Sequence, residues 1–181
     1  MMRSLSSLKR KRENLHFYCK YKINWGGFNI VRAELFLLQE IVKEEENFDY
    51  IHFFSGQDYP IKKLNHIKSF FEENKGYEYI EYMKLPSEKW DYGTYGRFNY
   101  YRFFDFWDVR TPQGAKKVSN LVKFQRKIGY KRRVPDQFDY LYGGSNWMSI
   151  TGECAKYIVD NQKQNKHFYS RLKYTFAFDE V

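Results

Sequence analysis

The chain has only two cysteines in 181 residues, Cys19 and Cys154. They lie far apart and lack metal-site spacing, so the expectation is reduced thiols in a cytoplasmic protein. Long apolar runs are missing too, and no stretch approaches the ~20 residues of a membrane span. The opening "MMRSLSSLKRKREN" is basic but has no apolar stretch and no small-residue cleavage site, so it is not a secretory signal. The four histidines show no ligand spacing with each other or with the cysteines. No GxGxxG, no P-loop and no Ser-His-Asp order occurs. There is no internal repeat, low-complexity segment or linker, which predicts one domain over 1–181.

Acid is in short supply: 22 Asp and Glu against 31 Lys and Arg leave a net charge of +9. That balance suits nucleic acid, an acidic membrane surface or a phosphorylated substrate. Part of the excess lies in Lys9 to Arg12 and part in "KFQRKIGYKRR", Lys123 to Arg133. No nucleic-acid motif accompanies either run. The expectation is a solvated face, or peripheral association with a membrane leaflet, without specific nucleic-acid binding. Aromatic residues are abundant, with 17 Tyr and 17 Phe. Such a chain has a real core and can also stack on flat ligands.

Periodicity predicts strands at Leu15–Ile23, Phe48–Phe54 and Tyr77–Met83, with helices at Phe28–Glu45 and Leu64–Asn74 between them. Asn29 is a candidate cap for the first helix, and Gly76 ends the second. This alternation predicts an α/β fold with a mainly parallel sheet flanked by helices. "FDYIHFF" is apolar on both faces and reads as a central strand. Gly96–Arg110 reads as an extended aromatic segment and Ala115–Ile128 as a basic amphipathic helix. Phe138–Ile150 reads as a strand broken at Gly143-Gly144. Thr151 caps a helix through about Gln162, with Glu153 in its first turn. His52, inside its strand, reads as a structural histidine.

Three interruptions carry polar groups. Ser55-Gly56-Gln57-Asp58 follows an apolar strand, where α/β sheets bind ligands. Its alternative is an Asx-turn closed by Asp58 and Pro60. Gly143-Gly144-Ser145 before Trp147 could admit a ligand to the backbone, or form a β-bulge with Trp147 in the core. Trp25-Gly26-Gly27 carries the same two readings. There is no Asp-x-Asp, the usual way a sugar transferase holds a divalent cation against a nucleotide diphosphate. On spacing alone, Asp179-Glu180 reads as a solvated end.

Taken together, "INWGGFNIVRAELFLLQEIV", "FDYIHFFSGQDYPIK", "YEYIEYMKLP", "YGGSNWMSITGECAKYIV" and "TFAFDEV" resemble the core-2/I-branching β-1,6-N-acetylglucosaminyltransferases, glycosyltransferase family 14. That family also includes the peptide xylosyltransferases. The match runs from Trp25 to Glu180 and is loose over Ser87–Arg133. It implies a GT-A-like fold and inverting, metal-independent transfer of a sugar from a UDP-sugar to a hydroxyl, such as that of a glycan, with no cofactor. It places the general base on Glu180 and acceptor contacts on Glu81, Lys89 and Trp147. Trp25, Gly26, Ser55, Gly56, Gln57, Asp58, Gly143, Gly144 and Ser145 become donor-binding or site-lining residues. The family's opening His-x-Asp strand and its basic residues after the "DE" helix have no counterpart here. The chain therefore reads as a partial domain, incomplete at both termini, with weak turnover expected. A carbohydrate-binding or inactive remnant, and a basic aromatic nucleic-acid binder, are the alternatives.

Overall fold

The computed structural model describes residues 15–44, 48–85, 93–132 and 141–175. The element order is α1 (Asn29–Lys43), β1 (Tyr50–His52), α2 (Leu64–Glu73), β2 (Tyr82–Leu85), α3 (Gly93–Phe98), α4 (Pro112–Lys127), β3 (Leu141–Gly144), β4 (Ser149–Thr151), α5 (Gly152–Gln164) and α6 (Lys166–Leu172). Helices and strands are mixed, as expected for an α/β protein.

The pairing differs from expectation. Among the described residues both ladders are antiparallel: β1 with β4 through Ile51 and Ile150, and β2 with β3 through Met83 and Gly143. An isolated antiparallel bridge from Tyr79 to Ser149 joins them. Ser149 thus has His52 on one side and Tyr79 on the other. The α2 crossover does return the chain in the direction of β1, because both flanks run antiparallel to Ser149. However, among the described residues the 141–151 stretch lies between them, so it occupies the middle and β1 lies to one side.

Why β1 is apolar on both faces then follows from its neighbours. Ile51 joins the cluster of Leu38, Ile150, Ala155 and Val159, where α1 and α5 cover one face. Tyr50 and His52 turn the other way, each with its ring 4.6 Å from that of Phe71 on α2. Ile150 is 0% exposed. Burying a side chain of that size stabilises by about 1.5–3 kcal/mol.

Leu15–Ile23 forms no strand. Its aromatics lie instead on α1, with Tyr18 and Tyr21 edge-on to Phe36 at 5.2 and 6.3 Å and Lys20 Nζ 3.9 Å above that ring. The aromatic segment is also not a ribbon from its start, because Gly96–Phe98 are helical. Beyond them Tyr101 is held by one side chain. The Gln125 amide donates to Tyr101 O at 3.0 Å and accepts from Tyr101 N at 2.9 Å, mimicking a ladder rung. Helix α4 is the predicted basic helix, extended back to Pro112 behind a Thr111 cap that accepts from Gly114 N. Thr151 caps α5 as expected, accepting from Cys154 N at 3.1 Å.

Candidate functional site

Two of the three interrupted turns meet in space. β1 ends toward Ser55 while β4 begins just after Trp147, so antiparallel pairing brings both turns to the same end. The contact is specific: Trp147 Nε1 donates to Asp58 Oδ2 at 2.8 Å. The same oxygen accepts from Ser55 N at 2.5 Å, and Gln57 N donates to Ser55 Oγ at 3.2 Å. Asp58 therefore does close its own turn, and it also grips the other one. The Ser55 amide, and after it the Trp147 indole, hold the carboxyl below the ordinary carboxylate range. On its own side, Trp147 N donates to Ser145 Oγ at 3.2 Å.

Trp147 is 57% exposed, so it is not the core tryptophan of a bulge. Its N–H is committed to Asp58 while much of its ring faces solvent. Gly56 is open, with nothing within 4 Å of where a Cβ would stand.

Glu81 joins this end through the backbone. Gly144 pairs with Tyr82, and a Cβ on Gly144 would stand 1.8 Å from Glu81 O. Only glycine allows this approach, which carries the exposed Glu81 beside the Gly143–Ser145 turn. The Trp25-Gly26 turn is anchored on the Phe104–Asp105 backbone through its neighbour Asn24. Gly26 has φ +70°, and buried Asn24 beside it donates to Phe104 O at 2.8 Å and Asp105 O at 3.2 Å. Lys89 and Glu180, with Asp179, lie outside the described residues.

Several polar residues that sequence reading passed over fix these parts. Asp105 Oδ1 accepts from Asn29 N at 2.9 Å and so satisfies a first-turn donor of α1 from 76 residues away. Asn29 is not the cap. It lies inside the helix and donates its side-chain amide to Lys22 O. The one available signal for Asp105 was an acid within "FFDFW". Glu78 accepts from Thr151 N at 2.8 Å and Thr151 Oγ1 at 2.6 Å at the α5 N-terminus. Burial first, and then Glu78, push the Cys154 thiol up to about 11. His52 is the satisfied histidine expected, with Nδ1 2.8 Å from Ser149 Oγ.

A cleft of about 620 Å³ lies at the opposite end of β1, lined by residues that include Val42, Phe48, Asp49, Lys75 and Glu153. Asp49 and Lys75 pair across it at 2.7 Å. Ligand sites in α/β sheets sit beyond the carboxyl ends of strands, and the carboxyl end of β1 is the Asp58–Trp147 end. Among the described residues no group of His, Cys, Asp and Glu is arranged to hold a metal ion. No described helix is long and apolar enough to cross a membrane.

Two polar turns are thus clasped at one end of the antiparallel ladder of β1 with β4. The chain belongs to the Core-2/I-Branching enzyme family, whose sequence pattern matches residues 3–180. It is similar to xylosyltransferase sqv-6 of Caenorhabditis briggsae, with 24% identity over 183 aligned positions, covering 95% of this chain and 20% of that protein. It is likewise similar to xylosyltransferase oxt of Drosophila pseudoobscura pseudoobscura, with 24% identity over 174 positions, covering 96% of this chain and 18% of that protein. The chain thus spans about a fifth of the length of these relatives.

Proposed function

We propose that this chain carries the sugar-transfer site of a GT-A-like glycosyltransferase. The enzyme moves an N-acetylglucosamine- or xylose-type sugar from a UDP-sugar to an acceptor hydroxyl, with inversion and without a divalent cation. The observation that carries this reading is the Asp58–Trp147 hydrogen bond at 2.8 Å. It unites the "SGQD" and "GGSNW" turns, both of which the family resemblance assigns to one site.

The roles follow from the chemistry. A sugar hydroxyl is a weak nucleophile at neutral pH, so a carboxylate must take its proton as it attacks in line. Glu180 is that base by resemblance. Glu81, beside the Gly143–Ser145 turn, accepts hydrogen bonds from acceptor hydroxyls, with Lys89 as a second acceptor contact. Trp147, its indole N–H held by Asp58, offers a fixed aromatic face to the acceptor ring. Ser55, Gly56, Gln57, Asp58, Gly143, Gly144 and Ser145 line the donor side, with Trp25 and Gly26. The missing Asp-x-Asp supports metal independence.

The test measures UDP-sugar binding by calorimetry, and UDP release with a panel of acceptors, both in excess chelator. Saturable UDP-sugar binding is expected in chelator. Glu180→Gln should keep that binding while UDP release falls by ~10²–10⁴-fold. Trp147→Ala should raise the acceptor KM and leave donor binding unchanged. Failure to bind any UDP-sugar overturns the reading. Activity that returns only with manganese overturns metal independence, and full release by the Gln variant removes Glu180 from the mechanism.

A further inference from the structure

The stretch that follows the Ser55–Asp58 turn, Tyr59 to Leu64, is used by nothing described so far. Every residue from Phe54 to His66 is exposed. Within it Phe54 is 68%, Tyr59 87%, Ile61 91% and Leu64 76% exposed. A single exposed leucine is ordinary, but four large apolar side chains this bare within eleven consecutive residues are not. Charge is one-sided here as well. The loop from Phe54 to Leu64 carries Lys62 and Lys63 against one acid, Asp58, while Lys68 on α2 is followed by Glu72 and Glu73. The Asp58 carboxylate is already held by Ser55 N and Trp147 Nε1. Leu64 starts α2 directly after Lys62 and Lys63, so apolar and basic groups meet at the loop's exit.

We propose that Tyr59–Leu64, beside the Ser55–Asp58 turn, is a membrane-docking loop that seats this face on an anionic lipid bilayer. Ile61 and Leu64 enter the acyl boundary, Tyr59 sits at headgroup level, and Lys62 and Lys63 meet lipid phosphates and carboxylates. The mixture of groups selects this occupant. A soluble polyanion would use the lysines and leave the apolar side chains in water. A second copy of a chain of net charge +9 would bring like charges together across the contact. On α4, Lys116 and Lys117 are exposed near the start of the helix, while the exposed apolar side chains Phe124 and Ile128 lie toward its other end. The inference stands whether or not the sugar-transfer reading holds.

The test is co-sedimentation of the full 181-residue chain with phosphatidylcholine vesicles and with phosphatidylserine-rich vesicles. Binding is expected to the serine-rich vesicles and to be weak on phosphatidylcholine alone. Each lysine at an anionic surface contributes roughly fivefold, so Lys62→Gln with Lys63→Gln should lower partitioning roughly 25-fold. Lys116→Gln with Lys117→Gln makes the same charge change on α4 and should lower it far less. Tyr59→Ser with Ile61→Ser should lower it at least about tenfold. Both side chains stand free of the core, so the circular dichroism melt of that variant should match the parent. Absence of binding to serine-rich vesicles overturns the proposal. So does an equal loss from the two lysine pairs, which would mean attraction by net charge. Self-association of the parent chain that Ile61→Ser abolishes would assign the patch to a second copy and also overturn it.

Discussion

Replacing Gly144 with alanine should destabilise the protein sharply and disturb Glu81 with it. The new Cβ would stand 1.8 Å from Glu81 O, 2.8 Å from Glu81 C and 3.0 Å from Tyr82 Cα. All three atoms are backbone, so no side chain can swing aside. Reaching even 3.0 Å from the carbonyl oxygen means opening β2 from β3 by more than 1 Å at this point. Strands pair at about 4.7–4.9 Å, and an opening of that size forfeits the ladder contact of Tyr82 with Gly144. Overpacking of this kind costs about 1–3 kcal/mol, and a lost backbone hydrogen bond adds about 0.5–1.5 kcal/mol. Taking about 3 kcal/mol in total, and ~2–4 °C per kcal/mol for a chain of this size, Tm should fall by about 6–12 °C. Thermal melting followed by circular dichroism measures this. Gly56→Ala is the control, since nothing lies within 4 Å of its Cβ, and an exposed change of that kind stays within about 0.5 kcal/mol. If Gly144→Ala melts together with Gly56→Ala, the close approach of Glu81 and Gly144 is not a constraint on the fold.

Two further outcomes are expected. Cys19 is exposed, while the Cys154 thiol is pushed up to about 11. Iodoacetamide at neutral pH should therefore label Cys19 alone by mass spectrometry, and labelling of Cys154 in the folded chain should rise only toward pH 11. Burial holds the His52 imidazole below its ordinary 6.5, so the unfolded chain takes up that proton first as pH falls. The His52 contribution to stability is complete above about pH 6.5 and is lost below it. His52→Asn should flatten the fall in Tm between neutral and mildly acidic pH, and an unchanged slope would remove His52 as its cause.

What the sequence made legible was what local spacing encodes. The i, i+3, i+4 pattern of Val31, Leu35, Leu38 and Val42 specifies α1, and Thr151 with Glu153 specifies the start of α5. The pairing of strands was not legible. "FDYIHFF" is apolar on both sides because helices cover both faces of β1, and a strand between two helical layers looks the same from its own sequence wherever it lies in the sheet. The insertion of 141–151 beside it is a contact across about a hundred residues that no window reports. Asp105 escaped for the same reason. Its work is done on Asn29 N, and nothing in "FFDFW" points there.

The Ser55–Asp58 turn shows why the site itself was only half legible. Its sequence supports a self-closed Asx-turn and a ligand-facing turn equally, and the geometry makes the two compatible. Asp58 uses one oxygen, Oδ2, for both Ser55 N and Trp147 Nε1. The hydrogen bond that closes the turn locally also fixes the direction in which Asp58 meets the indole. Trp147 itself is more than half exposed, and Gly56, between Ser55 and Asp58, is open to solvent. A turn rigid enough to hold an aromatic face in place must satisfy its own backbone first. Local capping and site geometry are here two uses of one carboxylate. The second can be read only where Trp147, 89 residues further along, is seen to reach the first.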